Sequence, residues 1–209
     1  MNNKKGTLFI IAAPSGAGKT SLVKAIIEQV DNIDVSISHT TRGSRHDEKD
    51  GVDYHFTDEN EFKTLIKENR FLEYAKVYDN YYGTSRDWVE QELASGKNII
   101  LEIDWQGAQQ IKSQLRNSIG IFILPPDYQT LRSRLVGRQN DELEIIERRM
   151  NAAREEISHY KEFDYIVIND NFEQALSEIK TIITATNLGS CRQSAFYDDF
   201  VGQIMAQKD

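Results

Sequence analysis

The sequence predicts an α/β protein with a three-layer core, in which helices cover both faces of a parallel sheet. Short apolar runs of strand length alternate with helical patterns before residue 36 and after residue 96. Strands separated by helices favour parallel pairing, because each helix returns the chain to the same edge of the sheet. A polar, tyrosine-rich stretch at residues 36–96 interrupts the alternation and predicts an inserted lobe of mixed α+β structure. The 209 residues are enough for a single domain that carries such a lobe.

The first strand is predicted at residues 7–12, which read TLFIIA. A run of consecutive apolar residues is typical of a strand that is buried on both faces, as in a parallel sheet. A glycine-rich turn follows, and then a helical pattern over about residues 19–30, where Leu22, Ile26 and Ile27 recur at helical spacing. The chain therefore begins with a strand, a glycine turn and a helix.

The remaining elements are predicted from the same patterns. In the inserted stretch, strand-like pieces lie at residues 54–56, 71–77 and 81–84, with a helix at 59–67. After it we expect a strand at 98–103, a helix at 105–114, a strand at 119–124, helices at 128–137 and 141–160, a strand at 165–168 and a helix at 172–186. The tail at residues 187–209 is only weakly periodic, and the sequence assigns it no role.

Composition argues against several classes of function. The formal net charge is -8 and the isoelectric point is about 5.1, so we do not expect a general basic surface for nucleic acid. The single cysteine, Cys191, cannot form an internal disulfide, and the four histidines lack metal-ligand spacing. The apolar run at residues 7–12 is too short to span a membrane and continues into the turn without a cleavage-like site. We expect a cytoplasmic protein with neither nucleic acid nor a membrane as partner.

A phosphate-binding motif occupies the glycine turn. Residues 13–20 match the Walker A pattern G-x-x-x-x-G-K-[ST], with Ala13 at the first glycine position. Gly16 and Gly18 allow backbone N–H groups to close around phosphate oxygens, and the next helix directs its positive dipole end at the same place. The candidate nucleotide-binding residues of the loop are Ala13, Pro14, Ser15, Gly16, Ala17, Gly18, Lys19 and Thr20.

Lys19 and Thr20 are expected to act on the phosphates directly. Lys19 supplies a positive charge for the β- and γ-phosphates, and the Thr20 hydroxyl can ligate Mg²⁺, which prefers oxygen ligands. A glycine-rich turn can also simply join a strand to a helix, but the spacing and the flanking elements favour a P-loop NTPase-type core. The motif predicts a bound nucleoside triphosphate with magnesium and leaves the phosphoryl acceptor open.

Arginines and tyrosines are concentrated in the inserted lobe. Arg42 and Arg45 are three residues apart, and two such guanidiniums in an acidic protein indicate a local anion site. Tyr54 and Tyr82 add hydroxyl groups. Each residue alone could be a solvated arginine or a core tyrosine, whereas together, beside a P-loop, they favour a second phosphate site.

These motifs together resemble the guanylate kinase family. The matching stretches are APSGAGKT, SHTTR with a second arginine at position 45, DGVDYHF, FLEYAKVYDNYYGT, LEIDWQG, RLVGR and VIND. They occur in order from residue 13 to residue 170, so the resemblance covers nearly all of the chain except the tail. The resemblance implies a P-loop core at residues 1–35 and 97–186, a GMP-binding lobe at 36–96, and a helical lid with flanking helices at 126–160.

The resemblance implies that GMP lies in the inserted lobe. It places the GMP phosphate among Arg42, Arg45, Tyr54 and Tyr82, with Glu48 near the arginines, and the guanine edge among Ser38, Glu73 and Thr84. The chemistry of Glu73 agrees, because guanine presents two adjacent N–H donors and an ionised carboxylate offers acceptors only. Adenine lacks the N1 proton and would be rejected by about 10⁴-fold or more. The other interpretation of Glu73 is a solvated strand carboxylate.

Glu102 and Asp104 follow an apolar strand. Carboxylates at the C-terminal end of a parallel strand face the ligand crevice of an α/β sheet. The resemblance implies that both lie near the acceptor and the magnesium ion, without separating their roles. Asp104 could instead cap the next helix.

The resemblance assigns the remaining candidate residues to the donor side. Arg134, Arg138 and Arg149 belong to the lid, whose arginines are implied to neutralise charge on the transferring phosphoryl group. Asn169 and Asp170 are implied to lie near the adenine of ATP.

The implied reaction transfers the γ-phosphoryl group of ATP to GMP, and also to dGMP. Phosphoryl transfer needs positioning and charge neutralisation rather than a protein nucleophile, so the candidate catalytic residues are Lys19, Arg42, Arg138 and Arg149. The sequence leaves the oligomeric state open.

Two other interpretations compete with this one. A different P-loop kinase, acting on another monophosphate or a phosphorylated sugar, would share residues 13–20, but Glu73 and the tyrosine-rich lobe argue against it. A non-catalytic protein-binding module related to guanylate kinases would typically have a degraded P-loop, whereas this chain keeps Gly18, Lys19 and Thr20.

Overall fold

The computed structural model of the chain describes residues 5–77, 79–136 and 143–206. The strands are β1 (Leu8–Ala12), β2 (Ile33–Val35), β3 (His39–Thr40), β4 (His55–Phe56), β5 (Phe71–Val77), β6 (Asn80–Ser85), β7 (Asn98–Glu102), β8 (Ile119–Leu124) and β9 (Tyr165–Ile168). The helices are α1 (Lys19–Gln29), α2 (Glu59–Lys67), α3 (Arg86–Ala94), α4 (Trp105–Gln114), α5 (Tyr128–Val136), α6 (Leu143–Ser158), α7 (Phe172–Leu188) and α8 (Ser190–Ala206). A 3-10 turn at Tyr160–Glu162 precedes β9.

Five parallel strands form the core sheet in the order β2, β7, β1, β8, β9. The first strand lies in the middle, where Ile10 pairs with Leu101 of β7 on one side and with Gly120 of β8 on the other. All five residues of β1 are buried. The unbroken apolar run in the sequence is therefore that of a central strand covered on both faces.

Side chains from alternate positions of the core sheet enter two separate apolar layers. Ile11 packs with Leu22 of α1 and Ile179 of α7 on one face. On the other face, Ile10 packs in a layer that includes Ile111 of α4. These two layers confirm the three-layer α/β/α core that the sequence predicts.

The inserted stretch forms a second, mixed sheet in the order β4, β3, β6, β5. β3 and β4 run parallel, and the other neighbours run antiparallel. The buried ring of Phe62 on α2 lies 4.5 Å from the ring of Phe71, measured between centroids, so α2 covers this sheet. The sequence missed α3, a nine-residue helix whose Val89 and Leu93 pack into the core layer of α4.

The tail is more regular than the sequence predicts, because α7 extends to Leu188 and α8 follows directly. Arg192 donates from Nη2 to the carbonyl of Lys5 over 2.9 Å, and Gln193 donates to the carbonyl of Asn187 over 2.9 Å. Both bonds tie the first turn of α8 to the rest of the chain. No helix within the described ranges combines the length and the apolarity that crossing a membrane would take.

Candidate active site

The phosphate-binding motif forms the turn between β1 and α1. Gly16 and Gly18 have φ angles of 90° and 93°, in the left-handed region where residues with a Cβ are strained. A Cβ at Gly18 would also lie 2.3 Å from Nδ2 of Asn169. That amide donates to the carbonyl of Ala17 over 2.7 Å, so the loop is held in shape from the end of β9.

A cavity lies beside this loop. It is lined by Gly16, Gly18, Ser21, Arg134, Asn169, Asp170 and Phe172. Arg134 donates from both terminal nitrogens to the carbonyl of Asn169, each over 3.3 Å. The structure thus brings Arg134, Asn169 and Asp170 together with the glycines, although they come from three separate segments.

Lys19 and Thr20 meet the carboxyl end of β7, the neighbour of β1. Lys19 Nζ donates to the carbonyl of Ile103 over 3.5 Å, and the Thr20 hydroxyl donates to Oε2 of Glu102 over 3.3 Å. The Thr20 hydroxyl and the Glu102 carboxylate, both oxygen groups of the kind that ligate Mg²⁺, therefore lie side by side at the start of α1. Asp104 caps α4 by accepting from the N–H of Gly107 over 2.8 Å, and it also lines the cavity described next.

A second cavity lies between the core sheet and the mixed sheet. It is lined by Lys19, Ser38, Tyr54, Glu73, Ala75, Val77, Tyr82, Glu102, Ile103 and Asp104. Lys19 is thus shared between the P-loop and a cavity whose other polar walls come from the inserted lobe and from Glu102 and Asp104, at the end of β7. A ligand in this cavity would face the Lys19 ammonium on one side and the Glu73 carboxyl group on the other.

Glu73 is a buried carboxyl group, 4% exposed, on β5. It lies opposite Thr84 of β6, whose hydroxyl donates to Oε1 over 2.5 Å. Burial raises the pKa of Glu73 to about 7, and the nearby Asp104 charge acts in the same direction against the hydrogen bonds from Thr84. Glu73 is therefore not the solvated strand carboxylate that the sequence left as an alternative.

The raised pKa of Glu73 predicts a stability cost at high pH. The folded protein keeps the proton between pH 4.5 and about 7, where the unfolded chain releases it. The stabilising contribution is therefore complete below pH 4.5 and is lost as the pH rises through 7. Between pH 4.5 and about 7, the free energy of unfolding of ligand-free Glu73→Gln should rise by about 3 kcal/mol relative to that of the unchanged protein. Denaturant unfolding of both proteins across the range measures the difference, and a difference that does not change with pH would contradict the assignment.

Glu48 organises the arginine-rich segment. Arg42 donates from Nη2 to Oε1 of Glu48 over 2.7 Å, and the backbone N–H of Arg45 donates to Oε2 over 2.8 Å. The hydrogen bond from Arg42 holds the pKa of Glu48 below its usual value. The Arg42 guanidinium lies 5.3 Å from the centre of the Tyr54 ring, which is 6.1 Å from the ring of Tyr82. Arg42 thus packs against Tyr54, which lines the second cavity. The side chain of Arg45 is exposed.

Comparison with known proteins decides the family. The guanylate kinase family profile matches residues 5–186. The chain belongs to the guanylate kinase family. It is 55% identical to a guanylate kinase of Alcanivorax borkumensis over 204 residues, which cover 98% of this chain and 99% of that protein. It is 53% identical to a guanylate kinase of Coxiella burnetii over 184 residues, 88% of this chain and 89% of the relative. The crystal structure of guanylate kinase from Anaplasma phagocytophilum superposes with a TM-score of 0.75 at 33% identity, covering 90% of each chain.

These matches confirm the resemblance and the fold class predicted from the sequence. Of the lid arginines that the guanylate kinase resemblance implies, Arg138 lies outside the described residues. Arg149 is half-buried on α6, whereas its neighbour Arg148 is exposed. The side chain of Arg149 therefore points more towards the body of the protein than that of Arg148.

One residue of the site has no signal in the guanylate kinase motifs. Glu156 of α6 reaches the P-loop, where its Oε2 accepts from the backbone N–H of Ser15 over 3.1 Å. Burial raises the pKa of Glu156, against the hydrogen bond from Ser15 and the charge of Lys19. One backbone N–H group of the P-loop is thus already hydrogen-bonded to a carboxylate. The contact joins residues 141 positions apart, so local sequence patterns do not reveal it.

Proposed function

We propose that the protein transfers the γ-phosphoryl group of Mg-ATP to GMP, and also to dGMP, giving ADP and the diphosphate, in cytoplasmic purine nucleotide metabolism. The observation that carries this proposal is the second cavity, where a buried carboxylate and the P-loop lysine face the same space. The carboxylate matches the two N–H donors of guanine. The positive charge of the lysine complements the phosphates of ATP and GMP, between which the γ-phosphoryl group moves.

The donor would bind along the P-loop. Backbone N–H groups of the loop and the positive end of α1 hold the phosphates, and Lys19 adds its charge. Asn169 and Asp170 would contact the adenine of ATP, and Arg134 would bind ATP from the lid; the support is that all three line the cavity beside Gly16 and Gly18.

Magnesium would bind beside the same phosphates. The Thr20 hydroxyl is the proposed protein ligand, and the neighbouring Glu102 carboxylate adds an oxygen suited to the hydration shell of the ion. The ion supplies positive charge to the phosphate oxygens during transfer.

The acceptor would bind between the two sheets. Arg42, Arg45, Tyr54 and Tyr82 are the proposed ligands of the GMP phosphate, and Ser38, Glu73 and Thr84 those of the guanine edge. Glu48 would keep Arg42 in place, since both of its oxygens already accept from the arginine segment. Asp104 and Glu102 close the cavity on the core side.

In the transfer step, an oxygen of the GMP phosphate forms the new bond to the γ-phosphorus. The bond from that phosphorus to the β,γ-bridging oxygen breaks, and ADP leaves with the electron pair. The GMP phosphate is largely ionised near neutral pH, so no strong general base is needed. Lys19, Arg42, Arg138 and Arg149 would neutralise the charge that spreads over the transferred group.

Product analysis tests this proposal directly. Incubation with Mg-ATP and GMP should yield ADP and GDP in equal amounts, and neither substrate alone should be consumed at a comparable rate. Formation of ADP and inorganic phosphate without GDP would contradict the proposal, because it would show hydrolysis rather than transfer.

Glu156 leads to a prediction about ATP binding. Its carboxylate accepts from the Ser15 N–H in the loop proposed for the triphosphate, so ATP binding must displace or protonate it. Glu156→Gln keeps an acceptor and removes the charge, and should lower the KM for ATP by about three- to tenfold. Steady-state kinetics with varied ATP measures the effect. The exposed neighbour Glu155 provides the matched control, Glu155→Gln, which should leave this KM unchanged. A higher KM for ATP in Glu156→Gln would contradict the prediction.

A further inference from the structure

We propose that Gly107, in the first turn of α4, positions Glu73 for guanine recognition by leaving the space in which the carboxylate lies. This inference rests on the proposed function and extends it to a residue that does not touch the substrate. Gly107 is buried in the helix that follows Asp104, and it faces the strand that carries Glu73.

The space at Gly107 is already filled by the Glu73 side chain. A Cβ at residue 107 would lie 2.6 Å from Oε2 of Glu73 and 3.2 Å from its Cδ. The side chain of Ile103 would lie 3.3 Å from the same Cβ. Real Cβ atoms do not approach a carboxylate oxygen this closely, so alanine at this position requires Glu73 to move.

The backbone gives no other reason for glycine here. Among the glycines of the described ranges, a positive φ occurs at Gly16, Gly18, Gly51 and Gly96, and Gly107 is helical. Glycine is less favourable than every residue except proline inside a helix. A residue that weakens α4 without being needed for its geometry indicates that close approach of another group is what requires it.

The strand cannot move back to relieve the contact, because α4 also holds β5 by hydrogen bonds. Gln110 donates to the carbonyl of Tyr74 over 2.7 Å and accepts from the Tyr74 N–H over 3.2 Å. Gln114 donates to the carbonyl of Leu72 over 2.9 Å. These bonds fix the backbone on both sides of Glu73 at a set distance from the helix.

The carboxylate is also held from the other side. Thr84 donates to Oε1 over 2.5 Å, which fixes one oxygen and leaves Oε2 against Gly107. A methyl group at 107 would therefore push Oε2 out of place or break the bond from Thr84. Either change would spoil the pair of acceptors that the guanine edge requires.

Gly107→Ala tests the inference. The KM and the Kd for GMP should rise about 10- to 100-fold, while kcat and the KM for ATP change by about threefold or less. The ratio of kcat/KM for GMP to kcat/KM for AMP should fall as well, because the affinity for GMP is lower. The matched control is Gln106→Ala, at an exposed position in the same turn, which should change none of these quantities.

A second variant separates a positioning role from a merely structural one. Glu73→Asp shortens the side chain by one methylene, so Gly107→Ala should cost little further GMP affinity in that background. An unchanged KM for GMP in Gly107→Ala, or an equal cost in both backgrounds, would overturn the inference. If Gly107→Ala did not fold, recovery of folding in the double variant would support it, and failure of both to fold would count against it.

The failure of this inference can be told apart from failure of the proposed function. Wild-type turnover with GMP is measured first, and its absence would contradict the function itself. Normal wild-type turnover with an unaffected Gly107→Ala protein would contradict only the role of Gly107.

Discussion

Lys19→Met should lower kcat by about 10³-fold or more without altering the fold. Lys19 is the first residue of α1, directly after the glycines of the P-loop, and it also lines the cavity proposed for GMP. In the proposed complex it would lie between donor and acceptor, where negative charge accumulates during transfer. Methionine keeps most of the side-chain volume and removes the charge. The rate of ADP release at saturating ATP and GMP measures the loss.

The exposed Lys24 of the same helix supplies the control for this prediction. Lys24→Met removes one positive charge from α1 at a residue that lines neither of the two cavities, and it should leave kcat within about twofold of the original. If Lys19→Met retained kcat within about tenfold, the lysine would not be neutralising the transferred group, and the phosphate site would have to be assigned elsewhere.

Glu73→Gln should lower kcat/KM for GMP by about 10⁴-fold. Glutamine replaces one of the two acceptors with a donor, so an N–H group would face an N–H group of guanine in a buried site. An unmatched pair of this kind is costly because water cannot reach it. The same amide can both donate and accept, which suits the edge of adenine, so the ratio of AMP to GMP turnover should rise.

The exposed Glu68, which precedes β5, gives the matched substitution. Glu68→Gln should leave kcat/KM for GMP and the preference over AMP unchanged. Retention of GMP preference by Glu73→Gln would contradict guanine recognition by this carboxylate, even if transfer to GMP itself were established. The stability difference between Glu73→Gln and the unchanged protein serves as a check that the variant folds.

The core was predictable because its signals are local. The apolar run of β1, the glycine turn and the helical spacing of α1 each specify one element, and parallel pairing follows from their alternation. The burial of Glu73, by contrast, depends on an element that lies elsewhere in the chain. Glu73 is buried because α4 packs across β5, with Gly107 against the carboxyl group and Gln110 bonded to the carbonyl of the next residue, Tyr74.

The sequence missed features that depend on how distant elements meet. The contact between Glu156 and Ser15 and the approach of Glu73 to Gly107 both cross from one element to another that lies far along the chain. The short helix α3 was missed because only two of its residues, Val89 and Leu93, are buried, which is a weak periodic signal. The side chain of Arg45 is exposed, so its pairing with Arg42 in an anion site stays a prediction.

The most direct test of the central claim is ADP release with Mg-ATP and each of GMP, AMP, CMP, UMP and dTMP in turn. The account predicts turnover with GMP and, in a further assay, with dGMP, and none of comparable rate with the other four acceptors. Turnover with a different acceptor would keep a P-loop kinase and contradict the role given to Glu73. No turnover with any acceptor, in a folded sample, would contradict the proposed enzyme and favour a protein-binding module.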